Sequence, residues 1–351
     1  VNKSFEKVWR ASAPSNIALI KYMGKTEISS SRTKNQPMNS SLSFTLNHLQ
    51  SYVEIKEVNG AEDSWEPLDR NQLKYFEDSL SPSFTVPELS KNSQTRFLKH
   101  LQFLKNHFGV DTNFRVRSAN GFPADCGLAS SASSFAALTI CAADSLSELS
   151  GQKKLSRTEL AELSRQGSGS SCRSLFSPWG LWTPNLMASV EVGYTNLIHQ
   201  VVVVDSAKKK VSSSEAHQRV ATSALFHSRA ERAEARLKEL MTALKAQNWS
   251  ASYELMWAEF WDMQVLFETA KPTFGYISAE SLHVLRWLQE NTWKQTGDGP
   301  LITMDAGPNI HLLYRPEQRD LAEKVQREFT PMMNVLSSFD FESFHGSLGD
   351  L

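Results

Sequence analysis

A chain of 351 residues, 40% hydrophobic and 21% charged, has enough apolar material for a packed core and room for two domains or one large one. Its formal net charge of -1 excludes a global basic field for nucleic acid, so any anionic ligand must be held by local groups. Three cysteines, Cys126, Cys141 and Cys172, stand in unlike contexts without a CxxC pair, which argues against a disulfide framework or a zinc site and for a reducing, cytoplasmic setting.

In chain order, VWRASAPSNIALIKYM is a mixed apolar strand, and SLSFTLNHL and SYVEIKEV alternate with period two as strands should. ISSSRTKNQPMNSS between them is a polar loop. Phe97, Leu98, Leu101, Leu104 and Phe108 fall at helical spacing and stop at Gly109. TNFRVRSAN predicts a strand, and a helix follows from about Leu128 to Leu149. Ser156, with Glu159 three residues on, marks the start of another helix. A second half begins near residue 195 with the strand NLIHQVVVVD; its VVVV is at most a buried strand, and no apolar run reaches membrane-spanning length. The opening VNKSFEKVWR has no apolar stretch of the secretion-signal kind. A long Arg-, Glu- and Ala-rich helical stretch, one or two helices, precedes the amphipathic SYELMWAEFWDMQVLFETA, closed by Pro272. SAESLHVLRWLQENT is a further helix, GPLITMDAGPNIHLLY a strand–turn–strand, EQRDLAEKVQREF a helix and MNVLSSF a last strand. Strands and helices interleave with hairpin-like pairs, which predicts an α+β fold of two domains, 1–195 and 196–351. The nine tryptophans sit mostly in apolar helical settings and read as core or interface residues.

Four stretches carry chemistry. Lys21 and Lys25 flank Gly24 at the end of an apolar strand, which suits a polyanion but equally describes two solvated lysines. In FPADCGLASSASSFAAL, the N–H groups of Leu128 to Ser131 form a helix start whose unpaired donors and dipole attract an anion. Ser130 and Ser131 add hydroxyls for phosphate or Mg²⁺; the alternative is a small-residue helix packed closely on a sheet, and the P-loop pattern is missing. GSGSSCRSLF places Arg173, a planar fork for carboxylate or phosphate, among the donors Ser168 and Ser170; the alternative is a Gly/Ser linker. Asp305 follows a buried-looking strand in an Ala-Gly-Pro-Asn turn, as a presented carboxylate or as ordinary turn chemistry. Together, two lysines, a phosphate loop, an arginine and one carboxylate are the parts of a phosphoryl-transfer site for a carboxylate-bearing substrate.

The segments APSNIALIKYMGK, NSSLS, GLASSASSFAAL, GSGSSCRSLF, VSSSEAHQRVATSALF and MDAGPN occur in the order found in one family. The chain resembles the diphosphomevalonate decarboxylases of the GHMP kinase superfamily over nearly its whole length. The resemblance implies a GHMP kinase-like fold: an N-terminal ribosomal-S5-domain-2-like α/β domain with a left-handed βαβ unit, and a C-terminal ferredoxin-like domain. It implies a homodimeric enzyme that uses Mg·ATP to phosphorylate the tertiary 3-hydroxyl of (R)-5-diphosphomevalonate, then loses phosphate and CO₂ to give isopentenyl diphosphate. By position, Asp305 would take or orient the hydroxyl proton, Lys21 would polarise that hydroxyl, and Arg173 would hold the substrate carboxylate. Asn16, Ser168, Gly169, Ser170, Ser171 and Cys172 would contact the substrate. Tyr22, Met23, Gly24 and Lys25 would line its diphosphate side, and Ser213 and Ser214 would lie over it. Gly127, Leu128, Ala129, Ser130 and Ser131 would wrap the ATP phosphates; no side chain is assigned as a metal ligand.

The chain departs from the family pattern at several points. Met23 replaces an aromatic residue, and Asp125 stands beside the phosphate loop. Ser93 occupies the place of an arginine that Arg96, one turn on, would replace. SSSEAHQ lacks the usual Gly-Met after its serines, and MWAEFWDMQVLFETA only loosely echoes the family's helix. The competing readings are a GHMP kinase that phosphorylates a mevalonate derivative and stops, a decarboxylase of another derivative, and a non-catalytic nucleotide-binding paralogue.

Overall fold

The alternating runs SLSFTLNHL and SYVEIKEV merge into a single strand, because no Gly or Pro separates them. This fold is taken from a computed structural model, which describes residues 7–25, 34–76, 89–122, 128, 130–205 and 210–340. β1 (Val8–Ile20) pairs antiparallel with the merged strand β2 (Ser41–Val58) along nearly its whole length. β3 (Ser64–Pro67) lies parallel to β4 (Asn113–Asn120). β4 pairs with the C-terminal part of β2, while β5 (Trp179–Trp182) pairs with its start and carries β6 (Met187–Ser189) outside it. The register of β1 on β2 slips between Pro14 and Ser15 and again between Ala18 and Ile20. Such bulges re-aim the strand, and here they precede Lys21 directly.

Helices α1 (Lys91–Phe108), α2 (Ser130–Ser150) and α3 (Arg157–Gly167) cover this sheet. α1 starts on the Ser90 cap and ends at Gly109, whose φ of 67° is left-handed and therefore suited to glycine. The capping box expected at Ser156 and Glu159 is present. Phe97, Leu101 and Leu104 of α1 and Ala136, Leu138 and Leu146 of α2 pack on Val53, Ile55 and Val116 of the sheet. Seven residues expected as loop, Gly169–Leu175, form a short 3-10 helix that is almost wholly buried.

The second half is a four-stranded antiparallel sheet ordered β10 (Asn334–Ser337), β7 (Ile198–Val203), β9 (Ile310–Tyr314), β8 (Leu301–Met304). The long Arg-, Glu- and Ala-rich stretch is broken into α4 (Ser213–Arg219), two 3-10 turns and α5 (Arg229–Lys245). α6 (Trp249–Glu268) and α7 (Ala279–Leu288) follow, then the helix Arg319–Phe329. Sheets and helices together give the α+β architecture expected. Ile17, Leu42, Phe44 and Trp179 of the first sheet share one continuous core with Val201, Leu240, Met256, Ile302 and Leu312 of the second half. Among the described residues no helix is long and apolar enough to cross a membrane.

A chain of imidazoles also links the sheets. His199 Nδ1 lies 3.0 Å from Nε2 of His48 on β2, and its Nε2 lies 2.9 Å from Nδ1 of His311 on β9. Burial, reinforced by His311, pushes His48 down to about 3, and burial reinforced by His48 and His311 pushes His199 well below its ordinary value. These rings are neutral when folded and take up protons near pH 6.5 when unfolded. Their contribution to stability is therefore complete above about pH 6.5 and declines as pH falls toward the folded-state values. We expect the melting temperature to drop between pH 7 and pH 5, and to drop less in His48→Gln; an equal drop in that variant would exclude this origin.

Candidate active site

The apolar run NIALI is buried on both faces, so β1 carries its last residues into the middle of the molecule. There it delivers Lys21, 1% exposed, whose ammonium donates to the Ala18 carbonyl at 2.6 Å and to Asp305 Oδ1 at 2.8 Å. Burial pushes Lys21 below its usual value, and the Asp305 carboxylate beside it opposes that fall. Asp305 comes from the turn after β8, its carbonyl accepting from Gln264 of α6 and from the Gly307 N–H. Its side chain is 24% exposed, so the pair is covered on the lysine side and open on the carboxylate side.

The main chain of Lys21 is clamped as well. Its N–H donates to Glu259 Oε1 at 2.9 Å, and its carbonyl accepts from Arg229. Glu259 is fully buried and paired with Arg229 and Arg236; Asp262, one turn on, takes a bidentate bond from Arg232 at 2.6 and 2.9 Å. This α5–α6 network holds the strand end that carries Lys21. Nothing in the sequence isolated it, because its charges lie in stretches that read as amphipathic helix faces.

Arg173 reaches the same cleft from the buried 3-10 helix. Nη1 donates to Ser41 Oγ at 2.9 Å, whereas the buried Nε has no partner among the described residues. Burial lowers the Arg173 pKa. Asn16 is similar: Nδ2 donates to Ser174 Oγ at 2.8 Å, and the buried Oδ1 has no partner among the described residues. A buried guanidinium donor and a buried amide acceptor lining one hollow are costly unless a polar ligand completes them.

The cleft, about 290 Å³, brings together Asn16, Lys21, Tyr22, Met23, Lys25, Arg96, Ser130, Ser131, Ser168, Gly169, Ser170, Arg173, Ser213, Ser214 and Asp305. It also takes in Asn35, Ser212, His217 and Met263, which sequence reasoning did not select. Ser171 and Cys172 face away from it. The Ser171 hydroxyl is bonded to Ser164 and Ser168, and the Cys172 side chain packs with Ala161, Leu175, Phe176 and Trp182. Leu128 is core, with its carbonyl accepting from Ser15 at 2.7 Å; Gly127, Ala129 and Asp125 lie outside the described residues. Gly24 stands between the lining residues Met23 and Lys25 without lining the cleft itself; its φ is 95°, and a Cβ there would meet Phe226 at 2.7 Å, so the turn requires glycine. Arg96 lines the cleft while Ser93 sits in the first turn of α1. Among the described residues no group of three or more His, Cys, Asp or Glu could hold a metal ion. The hydroxyls of Ser130 and Ser131 suit a Mg²⁺ that arrives on a nucleotide and keeps most of its ligands from phosphate and water.

An ammonium–carboxylate pair facing an arginine fork, beside a helix that starts with serines, is an arrangement for an alcohol, a carboxylate and a phosphate together. Residues 13–190 match the diphosphomevalonate decarboxylase-like N-terminal domain, and residues 199–345 match the mevalonate 5-diphosphate decarboxylase C-terminal domain. The chain belongs to the diphosphomevalonate decarboxylase family. A relative from Ganoderma lucidum, named diphosphomevalonate decarboxylase, is 30% identical over 357 residues, covering 94% of this chain and 84% of its own. The mevalonate diphosphate decarboxylase structure from Legionella pneumophila is 46% identical with a TM-score of 0.84, covering 94% of this chain and all (100%) of that one. A solved complex described as MDDEF with MVAPP, AMPPCP and magnesium is 25% identical with a TM-score of 0.78, covering 93% and 95% of the two chains. In this chain the lysine, the carboxylate and the arginine come from three different elements into one hollow.

Proposed function

We propose that this cleft carries out the ATP-dependent decarboxylation of (R)-5-diphosphomevalonate to isopentenyl diphosphate, with Mg·ATP as co-substrate. The observation that carries the reading is the Lys21–Asp305 pair at 2.8 Å, facing Arg173 across the same hollow. A tertiary alcohol has a high pKa and is a weak nucleophile, so a carboxylate to orient or accept its proton and a cation to lower its pKa are what it needs. Asp305 does the first and Lys21 the second. The transferred phosphate turns the C3 oxygen into a leaving group. When it departs with the C–O electron pair, the pair of the carboxylate's C–C bond becomes the new π bond and CO₂ is released. Arg173 holds the carboxylate in a fixed plane, so the two breaking bonds stay aligned. Ser130 and Ser131 at the start of α2 meet the nucleotide phosphates, and Lys25 and Arg96 serve the diphosphate tail.

The reading carries with it a cytoplasmic homodimer, to be checked by sedimentation, and a domain division at 195–196. What supports the division is the gap between β6, ending at Ser189, and β7, starting at Ile198.

The deciding assay offers Mg·ATP with 5-diphosphomevalonate, 5-phosphomevalonate or mevalonate and follows ADP and CO₂ together. Equal release of both with the diphosphate is expected; ADP without CO₂ would make the protein a kinase. Arg173→Ala should lower kcat/KM roughly 10²-fold, the loss of a charge-assisted bidentate contact, with nucleotide affinity unchanged. A selective loss of nucleotide binding would contradict the assignment.

A further inference from the structure

The cleft contains an imidazole to which the decarboxylase reading gives no role. His217 lies on α4, in the segment SSSEAHQ where the usual Gly-Met is missing. Ala216 and Val220, on either side of it, are anchored in an apolar cluster with Met23, Val211, Met263 and Phe267, which fixes the face that His217 presents. Its ring packs on Tyr22 with centroids 4.5 Å apart, and Nδ1 receives the Gly24 N–H at 3.1 Å. A backbone N–H can only donate, so Nδ1 holds a lone pair and the proton of the neutral ring sits on Nε2. Nε2 has no partner among the described residues, and the ring lines the cleft together with Lys25 and Arg96.

We propose that His217 donates a hydrogen bond from Nε2 to the diphosphate of the substrate, and that this contact favours a phosphorylated tail over a bare hydroxyl. The inference rests on the decarboxylase reading for the identity of the substrate, but the anion-binding role is testable without turnover. Burial, with Lys25 and Arg173 nearby, pushes the His217 pKa down to about 3, which favours the neutral ring with its one proton on Nε2. Lys25, whose ammonium is bonded to Asn35 at 2.8 Å, supplies charge at this end of the cleft, while a neutral ring supplies direction. Glu215, the carboxylate on the same helix, is engaged by Arg219 and does not compete for the imidazole. The rigid turn at Gly24 and the Tyr22 ring leave His217 a single orientation, which is what a discriminating donor requires.

The test is a titration with inorganic pyrophosphate while the nucleotide site is filled with AMPPCP. His217→Ala should weaken pyrophosphate about tenfold, one hydrogen bond to a charged acceptor, and raise the KM for diphosphomevalonate by a similar factor. Affinity for AMPPCP should stay within about twofold, which also reports that the variant is folded. Two further variants separate binding from architecture. The amide of His217→Gln replaces Nε2 and should restore much of the pyrophosphate affinity. The oxygen of His217→Asn replaces Nδ1, keeps the Gly24 contact and should not restore it. Unchanged pyrophosphate affinity in His217→Ala, or full rescue by His217→Asn, would overturn the proposal. Should His217→Ala not fold, ¹⁵N spectra of the parent protein decide: the Nε2 resonance must move on adding pyrophosphate, and a resonance that stays put refutes the contact. A parent protein that binds pyrophosphate in this way yet releases no CO₂ would sink the decarboxylase reading and leave the His217 site standing.

Discussion

Asp305→Asn should reduce kcat about 10³-fold while leaving nucleotide affinity within about twofold, because a positioned proton acceptor contributes 10²–10⁴ in rate. The substitution is nearly isosteric, and Asn still offers Lys21 an acceptor oxygen, so the 2.8 Å contact is kept in form. Two properties are lost together. The amide cannot accept the hydroxyl proton. It also carries no charge, and the Asp305 charge is the largest influence opposing the fall in the Lys21 pKa that burial imposes. Without it the lysine moves further toward the neutral amine and no longer polarises the alcohol. Activity should therefore decline at lower pH on the alkaline side than in the parent, since the ammonium is lost as pH rises through a pKa that has dropped. Lys21 is 1% exposed and loses its charged partner, so the melting temperature should fall as well, and the retained nucleotide affinity reports that the variant is folded. A kcat within tenfold of the parent would remove Asp305 from the role of base.

Much of this site was legible because its parts are local. The β8–turn–β9 pattern in LITMDAGPNIHLLY puts Asp305 just beyond a strand, and the buried run NIALI puts Lys21 just beyond another. Ser156 and Glu159 announce a helix start by a rule confined to four residues. What escaped depends on which elements meet. Composition gives GSGSSCRSLF as a loop, yet its small residues let it coil into a buried 3-10 turn beneath Trp182. SLSFTLNHL and SYVEIKEV form one strand rather than two, since β1 spans both and β4 and β5 take successive halves of the opposite edge. Ser171 and Cys172 follow from the same limit. A turn of 3-10 helix aims Ser170 and Arg173 into the cleft and the residues between them away from it, and spacing within a presumed loop does not reveal that. His217 was visible only as a departure from a pattern; its meaning lies in the Gly24 N–H, nearly two hundred residues upstream (a separation of 193).

Glu259→Ala should be the most destabilising substitution of a charged side chain in the α5–α6 clamp. Ion pairs differ in worth by burial, not by count. Glu290 and Lys294 pair on an exposed helix face, 57% and 58% accessible, and Lys294→Ala should move the melting temperature by no more than roughly 2 °C. Glu259 is 0% exposed and its partner Arg229 is 1% exposed. Its removal leaves the Arg229 guanidinium inside the protein with Asp262 at 3.5 Å as its remaining ion-pair partner, and takes the acceptor from the Lys21 N–H. Breaking one side of a buried pair costs about 3–5 kcal/mol. In a protein of this size that is a fall of roughly 4–7 °C in melting temperature. Glu259→Gln keeps the volume and an acceptor for Lys21 but not the charge, and should fall between the two. The order Ala, Gln, parent should also appear in kcat, because each step loosens the strand end that carries Lys21. A Glu259→Ala protein that melts with the parent would mean that Asp262 alone satisfies the three arginines, and that the clamp does not hold the catalytic strand.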